Sequence, residues 1–169
     1  MPAEISALAR EHLERVRAFY DAAPTEPQAG AHAYRALLAH YYNLLIPPDA
    51  SVLEIGCGSG ELLARLRAGK KAGVDLSETQ IAAARLRLPS AEFFAQSGEL
   101  IELGDRRFDV IIISDTLNLA ADVQHLLERL HSVAHADTRL ILNFERLSFW
   151  HRFRFLRWLC HEGRRKGWQ

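Results

Sequence analysis

The stretch Val52-Leu-Glu-Ile-Gly-Cys-Gly-Ser-Gly60 decides the fold. It begins as a short, mostly apolar run with the pattern of a buried β-strand, and it ends in three glycines that alternate with Cys57 and Ser59. Alternating glycines let the main chain turn sharply and let a ligand approach it without Cβ atoms in the way. The N–H groups of such a turn point at the ligand from the start of a helix. The stretch therefore predicts a strand, a ligand-binding turn and a helix.

Helices and strands alternate along the rest of the chain. Apolar residues at helical spacing predict helices over 5–20, 32–45, 61–68, 77–88, 122–134 and 148–160. Short apolar runs predict strands over 51–57, 71–76, 91–96, 108–114 and 139–144. Ser77 and Gln80 have the spacing of a capping box at the start of one of the helices. Strands that alternate with helices form parallel sheets through right-handed crossovers, and near-continuous apolar strands are buried on both faces. We therefore predict an α/β fold with a doubly wound, Rossmann-like, mostly parallel sheet that is truncated after its fifth strand.

The composition is that of one ordinary globular domain. The chain has 169 residues, of which 49% are hydrophobic and 25% are charged. Its two cysteines, Cys57 and Cys160, lie far apart, which favours a reducing compartment over a secreted disulfide scaffold. The first 15 residues carry scattered charge and lack the apolar segment of a signal peptide. We expect a cytoplasmic protein.

Charge divides the chain into an acidic body and a basic end. Residues 1–145 contain 20 acidic and 14 basic side chains, and residues 146–169 contain seven basic side chains against Glu162 alone. Together with the element pattern, this predicts a helical cap over 1–46, a Rossmann-like core over 47–145 and a basic, aromatic helix and tail over 146–169. An acidic body does not favour nucleic acid as a partner, because phosphate contacts need clustered cations.

The residues around the glycine turn restrict its ligand. A dinucleotide-binding turn would need a glycine where Glu61 stands, and the Gly-Lys-Ser/Thr of a phosphate-binding loop is absent. A nucleoside-like ligand without phosphates is therefore expected. Asp75 follows Gly56 by 19 residues and ends the next predicted strand, where an acid accepts hydrogen bonds from ribose hydroxyls in this fold. Glu54, just before the turn, is a candidate partner of a cationic amino group.

These two stretches, Val52–Gly60 and Gly73-Val-Asp-Leu-Ser77, resemble the class I S-adenosylmethionine-dependent methyltransferases, and the resemblance covers residues 34–145. It implies S-adenosylmethionine as cofactor and S-adenosylhomocysteine as product. It also implies that the turn lines the methionine and ribose part of the cofactor, that Glu54 contacts or orients the amino group, that Asp75 holds the ribose and that Leu76 flanks the adenine. The residues that the resemblance places along the turn are Gly56, Cys57, Gly58 and Gly60.

The turn after the third predicted strand departs from the family pattern. The family often has Gly-Asp-Ala there, whereas this chain has Gln96-Ser97-Gly98-Glu99. Ser97 stands where the adenine-binding acid is expected, so we predict Ser97 and Gly98 beside the adenine. A backbone carbonyl or Glu99 remains an alternative contact, and Ser97 has a purely structural alternative as the cap of a turn.

The loop after the fourth predicted strand, Ser114-Asp-Thr-Leu-Asn118, is where the resemblance places the chemistry. It lacks the Asp/Asn-Pro-Pro-aromatic pattern of enzymes that methylate base amino groups, which favours a small-molecule acceptor. Asp115 is the candidate general base or acceptor-orienting residue, and Ser114 borders the cofactor. The alternative is that Asp115 and Asn118 only shape the loop and the cofactor pocket. Tyr34, on the preceding helical segment, is the candidate for contact with the methionyl end.

The histidines do not form a metal-binding pattern. His131 and His135 have the spacing of a zinc pair on a helix, but no third ligand accompanies them in the sequence. We therefore expect no metal. Cys57 is interpreted as a small packing residue, since no base that would activate it is close in sequence.

The basic, aromatic helix at 148–160 admits three interpretations: packing on the sheet, an interface with a second copy or a missing C-terminal domain, and contact with an anionic membrane surface. The chain also resembles, more weakly, the methyltransferase portion of two-domain bacterial proteins in which a glycosyltransferase follows. That resemblance implies a fragment of a longer enzyme and a saccharide-linked acceptor.

The sequence leaves three hypotheses for the function of the protein. The leading hypothesis is a methyltransferase acting on a small-molecule or saccharide-linked acceptor. The second is a catalytically silent module that binds the cofactor and dimerises through 148–160. The third, a nicotinamide-dependent oxidoreductase, is disfavoured by Glu61.

Overall fold

The computed structural model describes residues 5–26 and 29–143. Its strands and helices alternate as the sequence predicts, and they confirm the α/β class. In chain order they are α1 (Ala7–Asp21), α2 (Ala29–Leu45), β1 (Ser51–Ile55), α3 (Glu61–Arg65), β2 (Lys70–Asp75), α4 (Glu78–Arg87), β3 (Glu92–Ala95), β4 (Phe108–Ser114), α5 (Val123–Leu130) and β5 (Ala134–Asn143). Single turns of 3₁₀-helix lie at Gly98–Leu100, Leu117–Leu119 and His131–Val133.

The five strands of the described part form one parallel sheet in the order β3-β2-β1-β4-β5. From β1 the chain moves outward through β2 to β3, and it then returns to the other side of β1 as β4. The strand order therefore reverses between β1 and β4. In open α/β sheets a ligand binds at such a switch point, beyond the carboxyl ends of the strands. The prediction of a doubly wound, Rossmann-like sheet is confirmed.

Two hydrophobic cores cover the two faces of the sheet. Side chains of α2, α3 and α4 pack with one face, where Val52 of β1 and Ile112 of β4 are fully buried. Side chains of α5 pack with the other face, where Leu53 and Ile111 are buried. Consecutive residues of β1 thus belong to opposite cores, which explains why the strand is apolar without alternation.

The start of α4 combines a local cap with contacts from distant parts of the chain. Ser77 Oγ accepts a hydrogen bond from the Gln80 N–H at 3.2 Å, as the predicted capping box requires. In a complete capping box the Gln80 side chain would accept from the Ser77 N–H, and here Asp75 takes that place. The Ser77 N–H donates to Asp75 Oδ1 at 2.9 Å, and the Gln80 amide donates to main-chain carbonyls at the end of α1 and just after it. Ser77 Oγ also donates to Asp21 of α1 at 2.5 Å.

Two predicted boundaries are wrong for reasons that lie outside the local sequence. The predicted helix over 61–68 ends at Arg65, because the Asn43 side chain on α2 donates to the Arg65 carbonyl and accepts from the Arg67 N–H. The predicted strand over 139–144 begins instead at Ala134. Its register against β4 shifts between Phe108 and Val110, and the extra residues are held by the Thr138 hydroxyl.

The predicted helix over 148–160, the segment 146–169 and Cys160 lie outside the described residues. Within the described ranges, no helix has the length and apolar character needed to cross a bilayer.

Candidate functional site

A cavity of about 700 Å³ lies at the carboxyl ends of β1, β2 and β4, between the sheet and the two N-terminal helices. Its volume is within the ordinary range for small-molecule sites. Eleven of the twelve residues that the sequence analysis selects line it. They are Tyr34, Glu54, Gly56, Cys57, Gly58, Asp75, Leu76, Ser97, Gly98, Ser114 and Asp115. The remaining residue, Gly60, is not part of the lining.

The three glycines of the turn have left-handed backbones, with φ of +74° at Gly56, +50° at Gly58 and +74° at Gly60. The space around each glycine differs. A Cβ at Gly56 would collide with the Thr116 side chain in the loop after β4, whereas a Cβ at Gly58 would have no atom within 4 Å. A Cβ at Gly60 would press on α4 and on β3, so Gly60 serves helix packing. Only Gly58 leaves open space beside the cavity.

Asp75 closes the turn from the adjacent strand. Its Oδ2 accepts a hydrogen bond from the Gly58 N–H at 2.7 Å, and its Oδ1 accepts one from the Ser77 N–H at 2.9 Å. Burial raises the pKa of Asp75, and these two backbone hydrogen bonds oppose that rise. Both bonds fix the carboxylate at the cavity wall. Each oxygen retains acceptor capacity, as contact with two adjacent hydroxyls would need.

Glu54 is the most deeply buried acid in the cavity wall. It is 1% exposed, and its Oε2 has no hydrogen-bond partner among the described residues. Burial raises the pKa of Glu54 to about 8. The nearby acids Asp75 and Asp115 add to the rise, and Arg35 opposes it. Without a ligand, Glu54 therefore holds a proton at neutral pH, and a cation bound beside it would lower this pKa.

In the turn after β3, the side chains of Ser97 and Glu99 both stabilise nearby backbone. Ser97 Oγ accepts from the Glu99 N–H at 3.1 Å and so caps the short 3₁₀-helix. The Glu99 carboxylate, 2% exposed, accepts from the N–H groups of Ala121 and Asp122 in the loop before α5. The geometry thus supports the alternative in which Ser97 is the cap of a turn. Both carboxylate oxygens of Glu99 accept hydrogen bonds from the loop before α5.

Asp115 has the only positive φ of the described residues other than glycine, at 56°. Its N–H donates to Asn143 Oδ1 at 3.1 Å and to the Asn143 carbonyl at 3.2 Å. Its Oδ1 accepts from the Tyr34 hydroxyl at 3.0 Å and from Asn143 Nδ2 at 3.1 Å, and its Oδ2 accepts from Arg35 at 3.3 Å. The carboxylate therefore joins α2, β5 and the loop after β4 at the rim of the cavity.

Sequence reasoning missed Arg35 and Asn143. Arg35 is the only basic residue among the described residues that line the cavity. Asn143 ends β5, and β5 pairs with β4, so it lies opposite Ser114 in the sheet register. The position of Asn143 near the end of a predicted strand was the one available signal, whereas Arg35 lies inside α2 and has no local signal.

Glu61 lines the cavity as well, although the sequence analysis used it only to exclude a dinucleotide. It is 6% exposed, and its Oε1 accepts from His32 Nδ1 at 2.5 Å and from Arg65 Nη2 at 2.9 Å. Its Oε2 is buried and has no hydrogen-bond partner among the described residues. The cavity wall thus contains two buried carboxyl groups with an unpaired oxygen, at Glu54 and Glu61.

Cys57 is buried at 6% exposure, and burial raises the pKa of its thiol well above the usual value. It is a thiol at neutral pH, which agrees with a packing role. In the described ranges no three His, Cys, Asp or Glu side chains are grouped closely enough to hold a metal ion.

The strand order, the left-handed glycine turn at the switch point and the acid at the end of β2 are the features of Rossmann-like methyltransferase domains. A family model described as a methyltransferase domain matches residues 46–157, which is more than half of the chain. The chain therefore belongs to this methyltransferase-domain family.

Individual proteins resemble this chain in sequence or share its fold. Trans-aconitate 2-methyltransferase of Variovorax paradoxus is 37% identical over 89 residues, which are 50% of this chain and 34% of that protein. The match thus spans about a third of the relative's length. A SAM-dependent methyltransferase of Leishmania major shares the fold with a TM-score of 0.65 and 13% identity, over 76% of this chain and 59% of the other. Magnesium protoporphyrin IX methyltransferase of Synechocystis, solved with bound SAM, has a TM-score of 0.60 and 16% identity, over 79% and 74%.

Proposed function

We propose that this domain binds S-adenosylmethionine in the cavity and transfers its methyl group to a small-molecule or saccharide-linked acceptor, with S-adenosylhomocysteine as the product. The observation that carries the proposal is the convergence of the glycine turn, Asp75 and the loop after β4 on one cavity of about 700 Å³. Family membership supplies the reaction class.

The charge of the cavity wall fits a cationic nucleoside without phosphates. Acidic residues dominate the wall, with Glu61, Asp75 and Asp115 among them, whereas Arg35 is the only basic residue among the described residues of the lining. S-adenosylmethionine carries a sulfonium and an ammonium, whereas a pyrophosphate would meet Glu61 directly after the glycine turn. Asp75 presents two oxygens to the sugar hydroxyls, and Arg35 supplies a positive charge for a carboxylate.

The chemistry asks little of the protein beyond alignment. A nucleophilic atom of the acceptor forms a bond to the methyl carbon, the bond from that carbon to sulfur breaks, and the electron pair stays on sulfur. The acceptor also loses a proton if its nucleophile was protonated. Holding the reactants in line contributes most of the rate, so an elaborate acid–base pair is not required. We propose that Asp115 orients the acceptor or takes this proton at the rim of the cavity.

The acceptor is proposed to be small, since the loop after β4 lacks the pattern of base-methylating enzymes. The relative from Variovorax paradoxus is named for trans-aconitate, a carboxylic acid, and Arg35 is a cation at the cavity wall. An acceptor screen should therefore begin with trans-aconitate and other small carboxylic acids and continue to saccharide-linked compounds.

Calorimetry with S-adenosylhomocysteine tests the first half of the proposal. We expect saturable binding to the wild-type protein and a loss of at least about 10-fold in Asp75→Asn, because a charged acceptor to two hydroxyls is lost. Asp137→Asn removes an exposed carboxylate on the bulged part of β5, outside the cavity lining, and should bind normally. Absence of binding by the wild-type protein would refute the proposal.

The second candidate function is a cofactor-binding module without turnover. One observation favours it: both oxygens of Asp115 already accept hydrogen bonds, so neither is free of donors in this structure. Transfer of a labelled methyl group from S-adenosylmethionine to any acceptor in the screen decides between the two functions. Dimerisation through 148–160 remains a prediction about residues outside the described ranges.

A further inference from the structure

Asn143, at the end of β5, holds two residues of the cavity wall and does not line the cavity itself. Its side-chain amide donates to the Tyr34 hydroxyl at 3.0 Å and to Asp115 Oδ1 at 3.1 Å. Its side-chain carbonyl and its main-chain carbonyl both accept from the Asp115 N–H, at 3.1 Å and 3.2 Å. One residue outside the cavity therefore fixes the backbone and the carboxylate of Asp115 together.

The backbone of Asp115 depends on such contacts. Its φ of 56° lies in the left-handed region, which is strained for a residue other than glycine. Strained conformations of this kind persist only where the surrounding structure holds them. Asn143 provides both acceptors of the Asp115 N–H, and Tyr34 and Arg35 hold the carboxylate from α2. Asn143 thus favours the left-handed conformation over an ordinary one.

The conformation of Asp115 also determines where the next residue lies. The Thr116 side chain occupies the space beside Gly56 so closely that a Cβ at Gly56 would overlap it. The Thr116 hydroxyl donates to the Ser114 carbonyl at 3.0 Å. Gly56 and Thr116 both line the cavity. A change in the backbone of Asp115 would therefore displace the cavity wall beside the glycine turn.

We infer that Asn143 is a positioning residue of the proposed cofactor site. It holds Asp115 in its left-handed conformation, and it thereby keeps Thr116 against the glycine turn and Tyr34 of α2 in the cavity wall. This inference rests on the proposed function and adds to it a residue that acts through Asp115 from outside the cavity.

The first experiment separates positioning from a purely structural role. Asn143→Ala should weaken S-adenosylhomocysteine binding by about 3- to 10-fold in calorimetry, because the wall beside the glycine turn is no longer held. Asn43→Ala is the matched control. Its side chain also makes one donor and one acceptor hydrogen bond, to the main chain at Arg65 and Arg67, and it lies outside the cavity lining. Asn43→Ala should lower the stability and change the affinity by less than about 2-fold.

The second experiment exchanges the two partners. Asn143→Asp replaces the amide that donates to Asp115 with a second carboxylate, and we expect about a 10-fold loss of affinity because like charges repel at this distance. The double variant Asn143→Asp/Asp115→Asn again places one amide opposite one carboxylate. It should bind S-adenosylhomocysteine within about 3-fold of the wild type. The single variant Asp115→Asn completes the cycle, in which the two costs should not be additive.

Two outcomes overturn the inference. Asn143→Ala could lose stability and still bind S-adenosylhomocysteine as tightly as the wild type, which would give Asn143 a role in folding alone. The double variant could also bind no better than Asn143→Asp, with additive costs, which would show that the pairing with Asp115 does not matter for the site. Asn143→Ala decides the question by itself if Asn143→Asp does not fold. Failure of the wild type to bind S-adenosylhomocysteine would instead refute the proposed function itself.

Discussion

The turn after β1 and the loop after β4 lie side by side at the carboxyl edge of the sheet, and they keep their shapes by different means. The turn has three left-handed glycines, and its first two N–H groups, those of Gly56 and Cys57, donate to the Val74 carbonyl of β2. The loop has one left-handed residue, Asp115, which carries a side chain and is held by residues of α2 and β5. The local sequence determines the backbone of a turn made of glycines. A strained residue other than glycine keeps its backbone conformation only through contacts with residues that are distant in the sequence.

The same contrast applies to the carboxyl groups of the two regions. Glu54, at the end of β1, is buried and has an unpaired oxygen, whereas Asp115 receives donors on both oxygens. The first is kept neutral by its surroundings and the second is built into a network.

The largest expected effect is a loss of stability with rising pH that depends on Glu54. Its pKa is about 8 in the folded protein, whereas the ordinary value of 4.5 applies to the unfolded chain, so unfolding releases a proton between these values. The contribution of Glu54 is therefore fully present below pH 4.5 and is lost progressively as the pH rises to about 8. The difference in unfolding free energy between the wild type and Glu54→Gln should fall by on the order of 4 kcal/mol across this window.

Urea unfolding of both proteins at a series of pH values measures that difference. Comparing the two proteins cancels the contributions of other titrating groups, such as Asp75, whose pKa burial also raises. Parallel pH profiles for the wild type and Glu54→Gln would show that Glu54 is ionised in the folded protein.

The next effect separates two glycines of the same turn. Gly56→Ala places a Cβ against the Thr116 side chain at a φ of +74°, and we expect it to cost about 3 kcal/mol. Gly58→Ala has a similar backbone but open space around the new Cβ, so about 1 kcal/mol is expected. Denaturant titrations measure both costs, and equal costs would mean that the contact between turn and loop does not matter. Gly58→Ala should still weaken S-adenosylhomocysteine binding, because its Cβ enters the cavity wall.

On the loop side, Asn143→Ala is expected to cost about 2 kcal/mol. It removes two hydrogen bonds that hold Asp115, one to its N–H and one from the amide to its carboxylate. In a double-mutant cycle with Asp115→Ala, the two costs should be non-additive by about 1 kcal/mol or more, since the side chains act as one unit. Additive costs would show that Asp115 keeps its left-handed backbone without Asn143.

The part of the site that is visible in the sequence is the part that is local. The strand, the three glycines and Asp75 lie within 25 residues of one another, and the structure brings the end of the strand, Gly56, Gly58 and Asp75 to the cavity. The element order and the parallel sheet also follow from local patterns, since each strand and helix has its own apolar spacing. The roles of these residues toward a cofactor remain predictions.

The rest depends on pairs that are remote along the chain. Asp115 meets Asn143, Arg35 and Tyr34 across separations of 28, 80 and 81 residues, and no local pattern marks such contacts. The end of α3 is likewise determined by Asn43, which is 22 residues away from Arg65. From the sequence, Glu61 could be used only to argue against a phosphate-bearing ligand. Its hydrogen bonds with His32 and Arg65 are seen only in the structure, where α2 packs on α3.

The smallest expected effect measures local and remote contributions in one residue. Ser77→Ala removes a helix cap, the bond from the Gln80 N–H, and also the bond from Ser77 Oγ to Asp21 on α1. Ser6→Ala is its matched control, because it removes only the cap of α1, the bond from the Ala9 N–H at 3.1 Å. We expect about 1.5 kcal/mol for Ser77→Ala and about 0.5 kcal/mol for Ser6→Ala, whose site is exposed.

The hydrogen bond between Ser77 and Asp21 can be followed separately through the pKa of Asp21. The hydrogen bond from Ser77 holds the pKa of Asp21 below its usual value, so Ser77→Ala should raise that pKa in an NMR titration, and Ser6→Ala should leave it unchanged. If the two variants cost the same and the pKa of Asp21 does not move, the connection between α1 and α4 does not contribute to stability. The helix cap that the sequence predicts would then account for the whole loss of stability. Contacts between residues distant in the sequence would then matter for the loop after β4 but not for the start of α4.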